Sequence, residues 1–375
     1  MRSPVELREN LAKAILNVRS GHATSRRSLA AVLRLSPSTT GYYVDQLIDA
    51  GLLIETGLEQ GRMGRPKRVL SAVAGAGWFA GIEFNAERIH AVRLDFAGRP
   101  EKSLTAPLPH EAGTGQVMNE IARLITGISD QARGEFMGIG AGVPGLVDPA
   151  SGTGIHYSFL PDWRNVPFRS VLQERFQTPV ILENNLRVIA LAERWFGGGR
   201  ELDDYVILGP RSGFGIAIMK HGRLIDGRHH ATGEIGRWTW PLTGEGKEMH
   251  DALCAPAVWR RLAGGATQKR QPDNLRAALA ALADRRDAAW DTVVADYGRV
   301  IGLLHLLLDS GAYFLHGPLT ALGTGFCDAI SSEAVRLMPA LQNMTPKILP
   351  SGLGDDAGAL GAASLAMEAW QPSPG

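Results

Sequence analysis

The sequence predicts an α/β protein headed by a winged helix-turn-helix, and three observations carry that reading. Beyond residue 77, strand-length apolar runs alternate with helix-length amphipathic segments, the pattern of α/β layers. Before it, two short helices joined by a tight turn are followed by two strand-like runs around a glycine-rich basic loop. Charge is also uneven. Residues 1–71 hold eleven Lys and Arg against six Asp and Glu, a balance of +5, which leaves −4 on the remainder of a chain of formal net charge +1. A basic head on a mildly acidic body is the footprint of nucleic-acid contact.

Composition narrows the class. The 375 residues are 45% hydrophobic and 21% charged, enough to build two or three cored domains and unlike a disordered chain. No window holds the ~18 uncharged apolar residues that a membrane helix needs. The opening MRSPVELREN lacks the apolar centre of a secretory signal, so a cytoplasmic, non-membrane protein is expected. Only Cys254 and Cys327 occur, which excludes a four-cysteine zinc site and a disulfide scaffold.

The head (1–71) is read element by element. Leu7, Leu11, Ile15 and Val18 share one helical face. Ser25 opens a second helix with Leu29, Val32 and Leu33 inward. In LRLSPSTTGYYVDQLIDAGLL, Ser36 suits the N-cap and Pro37 the first helical position, where a missing N–H costs nothing. Val44, Leu47 and Ile48 form the inward stripe, and Gly51 ends the helix in a left-handed cap. The opposite face carries Ser38, Thr39, Tyr42 and Gln46, whose side chains would meet base edges in a major groove. Asp45 and Asp49 lie further along and would repel phosphate, so only the first two turns are expected to enter. LLIET and KRVLS then flank the loop GLEQGRMGRPK, a wing whose Arg62, Arg65, Lys67 and Arg68 suit phosphates or a narrow minor groove.

AVAGAG (72–77) reads as a linker to the body (78–375). There, GWFAGIEFNAERIHAVRLDFAGRP gives two apolar runs around a polar turn. FMGIGAGVPGLVD is a strand entering a glycine-rich loop, and PVILENN a buried strand with a polar end. LRVIALAERWFGGGR is a helix stopped by glycines, and DYVILGP and FGIAIMKHGRLI are strands. Residues 251–263, 273–284, 287–309 and 325–338 read as helices, AYFLHG and PKILP as strands, and DDAGALGAASLAMEAW as a terminal helix. No repeat of fixed period is visible.

With these motifs placed, the chain resembles transcriptional regulators of the ROK family (repressors, open reading frames and sugar kinases). The GRMGRP wing, GIGAGVPGLVD, LPDWRNVPF, VILENN, GRHHATGEIGR and SGLGDDAGALGAA carry the resemblance. It implies an actin-like (RNase H-like) two-lobed body. Lobe one would comprise about 78–183 plus 355–375 and lobe two about 184–354, with a sugar bound between them. It also implies a homodimer or tetramer.

The family's kinases use the Asp of Glu-Asn-Asp as the base; here the run is Glu183-Asn184-Asn185, and an amide cannot take the proton. The phosphate-cradling Asp-x-Gly turn is replaced by Glu83-Phe84-Asn85-Ala86-Glu87, a second survives as Arg211-Ser212-Gly213-Phe214-Gly215, and a Gly-Gly appears as Gly317-Pro318. No catalytic residue and no cofactor is therefore expected. The family's zinc ligands are a His after Gly-Glu-x-Gly and three nearby cysteines. Here Arg237 follows Gly233-Glu234-Ile235-Gly236 and only Cys254 follows, so no metal is expected.

Carried over by resemblance, the ligand-holding positions are Asn184, Asn185, Glu234, Arg237 and Phe159. Arg237 would either meet the anion of a sugar acid or sugar phosphate, or pair with Glu234 or another acid. Trp238 and Trp240 are read as sharing one side of a strand. The resemblance implies a sequence-specific regulator that binds a double-stranded operator, a repressor of carbohydrate-related genes. Two alternatives stay open: a residual sugar kinase, and a DNA-binding protein whose body only oligomerises.

Overall fold

The computed structural model describes residues 4–59, 67–109, 111–240, 246, 248–264 and 271–372. The chain is α/β and divides into two compact units: 1–143, 149–183 and 362–375, and 144–148 with 184–361.

The first unit begins with α1 (Pro4–Arg19), α2 (Arg26–Leu33), α3 (Pro37–Asp49), β1 (Leu53–Glu59) and β2 (Lys67–Ala72). Ser25 and Ser36 cap α2 and α3 through their hydroxyls, and Pro37 stands in the first turn of α3. Gly51 takes the left-handed conformation (φ 69°) that stops α3. β1 and β2 pair antiparallel, from Leu53 opposite Ala72 to Glu59 opposite Lys67. Leu11, Ile15, Val18, Leu29, Val44 and Leu47 are buried among these elements. Val32, read as inward, is exposed instead. The left-handed residue Arg34 ends α2 there, and Ala30 takes the buried position.

Next come β3 (Gly77–Phe84), β4 (Arg88–Asp95), β5 (Pro100–Pro107), α4 (Thr114–Ser129), β6 (Glu135–Val143), β7 (Leu146–Asp148), β8 (Thr153–His156), β9 (Arg164–Val166), α5 (Phe168–Phe176) and β10 (Val180–Asn184). One sheet runs β10-β6-β3-β4-β5. The second unit contains α6 (Asn185–Phe196), β11 (Tyr205–Leu208), β12 (Ile216–Lys220), β13 (Arg223–Leu224), α7 (Met249–Leu253), α8 (Ala255–Leu262), α9 (Leu275–Ala280), α10 (Ala288–Leu308), β14 (Ala312–Leu315), α11 (Thr324–Leu337) and β15 (Ile348–Pro350). It also holds the start of α12 (Ala357–Ala369). Its sheet runs β13-β12-β11-β14-β15.

The two sheets have the same plan. In each, the first strand (β3 or β11) is central. It pairs antiparallel with the second strand and parallel with the fourth (β6 or β14). The duplication is topological and leaves no periodic sequence signal. Three details differ from the sequence division: the head and the 72–77 stretch fall in one unit with the first lobe, Pro144–Asp148 goes with the second unit, and α12 is divided after Gly361. α12 lies directly on β6, where a Cβ on Gly140 would come within 1.7 Å of the Ala362 carbonyl oxygen.

Candidate DNA interface and ligand site

The exposed face of α3 is pre-arranged by its own cap. The Ser36 hydroxyl accepts the Thr39 N–H (3.1 Å) and lies 3.0 Å from Ser38 Oγ and 2.8 Å from Thr39 Oγ1. One turn on, the Gln46 amide donates to the Tyr42 hydroxyl at 2.9 Å, and Tyr42 is 54% exposed. Ser38, Thr39, Tyr42 and Gln46 therefore form two linked polar groups on one helix face.

Asp45 is not the bare repelling charge that the sequence suggests. Arg26 Nη1 lies 2.7 Å from it, and Arg26 Nε is 2.7 Å from Glu55 of β1. Arg68 of β2 reaches the same carboxylate at 3.4 Å, and the Arg26 guanidinium holds Glu55 below the usual carboxylate range. These pairs tie α2, α3 and the strands together while neutralising charge near the recognition face. Arg62 and Arg65 lie outside the described residues. Lys67 opens β2, and its side chain lies outside the described part.

In the second unit, Asn184 caps α6. Its Oδ1 accepts the Leu186 N–H (2.8 Å) and its Nδ2 donates to the Gly145 carbonyl (2.9 Å). Asn184 is thus first a structural residue, and Asn185 begins the helix beside it. Glu234 is set by glycine packing. Gly233 (φ 92°) and Gly236 leave room for Cβ atoms only at 2.0 Å from the Ile216 and 1.9 Å from the Phe214 carbonyl oxygens, so no other residue fits either position without displacing β12 or the chain just before it. Burial pushes the Glu234 carboxyl up, opposed by the charges of Arg237, Arg187 and His250.

Arg237 does not hydrogen-bond Glu234. Its Nη1 lies 3.3 Å from Glu248 Oε2, and His250 Nε2 lies 3.2 Å from the same oxygen. Of the alternatives weighed for its charge, a protein acid other than Glu234 meets it. Trp238 and Trp240 do not share a strand face. They follow a 3-10 turn, Thr239 makes a single bridge to Glu248, and Trp238 is exposed while Trp240 is buried.

Sequence reasoning missed Arg187. It is buried on α6 and donates to Asp226 at 3.0 Å. His230 stands between Asp226 (3.7 Å) and Asp148 (3.5 Å). The available signal was a single charge inside the otherwise apolar run LRVIALA. Arg187, Arg237, His230 and His250 are in this way interleaved with Asp148, Asp226, Glu248 and Asp251, and Glu234 lies under the charges of Arg237, Arg187 and His250. In the first unit, Phe159 is 43% exposed beside Tyr157, with ring centroids 5.4 Å apart. Two residues of its LPDW run are structural: Asp162 accepts the Thr114 N–H at the start of α4 (2.8 Å), and Trp163 is buried against Phe84.

Cys254 separates α7 from α8, and burial pushes its thiol up, opposite to what a thiolate ligand needs. Among the described residues no group of three His, Cys, Asp or Glu side chains is placed to hold a metal ion.

Residues 79–369 match the ROK family. The chain belongs to it. A xylose repressor from Caldicellulosiruptor bescii is 29% identical over 222 residues, covering 57% of this chain and 54% of that protein. The chain thus spans about half the length of that relative. The Bacillus subtilis xylose repressor is 24% identical across 92% of this chain and 91% of its own. A Thermotoga maritima glucokinase is 29% identical across 72% of this chain and 91% of its own. Among solved structures, a ROK transcriptional regulator described as a homologue of the E. coli MLC protein superposes with a TM-score of 0.78 at 19% identity, covering 98% of this chain and 97% of its own. Regulators and kinases are both among this ROK protein's relatives, and no helix in its described residues is long and apolar enough to cross a membrane.

In the ROK body, the turn between β3 and β4 is closed by its own side chain. Asn85 Oδ1 accepts the N–H groups of Glu87 (2.8 Å) and Arg88 (2.9 Å). Asn85 thus occupies N–H groups that a phosphate-cradling turn would offer outward.

Proposed function

We propose that this ROK protein is a sequence-specific DNA-binding regulator, a repressor of carbohydrate-related genes in the cytoplasm. It acts as a homodimer or tetramer on a double-stranded operator. The observation that carries this reading is the ordered polar face of α3, where a half-buried Gln46 hydrogen-bonds the exposed Tyr42 on a capped helix. The repressor names among its relatives support it.

The effector is a neutral polyhydroxyl molecule of the sugar type, bound through Asn185, Glu234 and the α6 N-terminus, with Asn184 holding that terminus in place. Arg237 already has its counter-charge in Glu248, which disfavours a sugar acid or sugar phosphate. The protein does not transfer phosphate: Asn185 stands where a base is needed, and Asn85 occupies the N–H groups of the first turn. Selecting duplexes from a random library with the full chain, then titrating neutral and acidic sugars into the complex, tests both halves. A recovered motif released or tightened by neutral sugars supports the proposal; release by sugar phosphates alone rejects the ligand class.

A further inference from the structure

Arg19 is the last residue of α1, yet its guanidinium does not face water. Its Cζ lies 3.8 Å from the ring centroid of Phe96, 5.3 Å from Phe79 and 5.5 Å from Trp370. Phe79 and Phe96 are fully buried on β3 and just after β4, and Trp370 follows α12 and meets Phe96 edge-on at 5.2 Å. Nη1 donates to the Met367 carbonyl at 3.4 Å, while Nε and Nη2 are buried with no hydrogen-bond partner among the described residues. Burial lowers the guanidinium to about 9, with Asp95 opposing that shift. A methionine or leucine would fill such a pocket without the desolvation cost. A cation enclosed by three rings instead gains a directional contact with the ring faces.

The joint beside it is tied as well. The Phe96 N–H donates to the Ala74 carbonyl (3.2 Å) and the Val73 N–H to the Leu52 carbonyl (3.1 Å). A Cβ on Gly134 would come within 2.4 Å of the Gly75 carbonyl oxygen. The stretch read as a linker is thus held from both sides within the first unit.

We propose that Arg19 is a positioning residue for DNA binding: its clasp by Phe79, Phe96, Trp370 and the Met367 carbonyl fixes the helix-turn-helix on the ROK body, so that two heads of an assembly meet two half-sites at one spacing. This rests on the DNA-binding reading above. Fixing the heads raises the effective concentration of the second for its half-site, a gain that a loosely hung head loses without any change in its own contacts.

The test uses the full chain with Arg19→Met and Arg19→Lys. Hydrogen exchange at the Phe96 and Val73 amides reads the clasp without DNA. Binding to a duplex that the parent protein selects from a random library, whole and with one half-site scrambled, reads the consequence. Arg19→Met should speed exchange at both amides about tenfold and weaken the whole site about tenfold, leaving the scrambled duplex within about twofold. Arg19→Lys, which keeps a cation among the rings, should recover most of both effects. Should Arg19→Met fail to fold, Trp370→Leu opens the clasp from the body side with the same expectations. Unchanged exchange, or equal weakening on both duplexes, overturns the proposal. A parent protein that selects no sequence defeats the DNA-binding reading, and faster exchange in Arg19→Met would then leave only a structural clasp, which also overturns the positioning role.

Discussion

Arg237 is neutralised by Glu248, the two separated by 3.3 Å in the second unit. Both side chains are substantially exposed, so the pair contributes at most about 1 kcal/mol. Arg237→His should therefore lower the melting temperature by about 2 °C or less and change affinity for matched acidic and neutral sugars equally. Isothermal titration of both sugars on one variant checks this. Selective loss of the acidic sugar would restore an anion site.

On the recognition helix, Tyr42→Ala should relax base preference at one operator position, costing about 1–3 kcal/mol for the preferred base. Arg62→Ala with Arg65→Ala should weaken all sequences alike and, with two heads bound, reduce the salt slope by roughly four. Fluorescence anisotropy across a salt series distinguishes the two patterns.

Asn185→Asp should not generate sugar kinase turnover, because Asn85 still occupies the turn N–H groups of Glu87 and Arg88. A coupled assay with ATP and a panel of neutral sugars measures it. Turnover in the single variant would show that the first turn is not limiting.

Glu234 has its carboxyl raised by burial, so the folded protein holds that proton more tightly than the unfolded chain does. Its contribution to stability is greatest below the ordinary carboxylate range and is lost as pH rises through the folded value. Glu234→Gln should therefore melt higher than the parent at neutral pH, with the gap closing as pH is lowered toward the ordinary carboxylate range. The same variant should lose about tenfold or more in neutral-sugar affinity, as a charged hydrogen-bond acceptor is removed. Calorimetry across pH checks the sign.

What was legible in the sequence was local. The Ser36-Pro37 start of α3, its Gly51 stop and the strands of the wing are each written within a few residues. The proposed ligand positions come from motif resemblance, which says nothing of their partners. Glu248 reaches Arg237 across a chain segment with no pattern, and Arg187 meets Asp226 across 39 positions. The two sheets repeat each other in strand order while their sequences share no period, because the topology constrains burial and not residue identity. Val32 was misplaced because helical periodicity continues through α2 while the chain turns at Arg34.

The central claim is that α3 reads DNA under the control of a neutral ligand on the ROK body. Anisotropy of a library-selected duplex with the full chain, with and without neutral monosaccharides, tests it most directly. The account predicts sequence-selective binding that weakens linearly in log affinity against log salt and shifts by about tenfold or more when one neutral sugar saturates the body. Binding with no sequence preference, or a selective complex indifferent to every neutral sugar but responsive to a sugar phosphate, would contradict it.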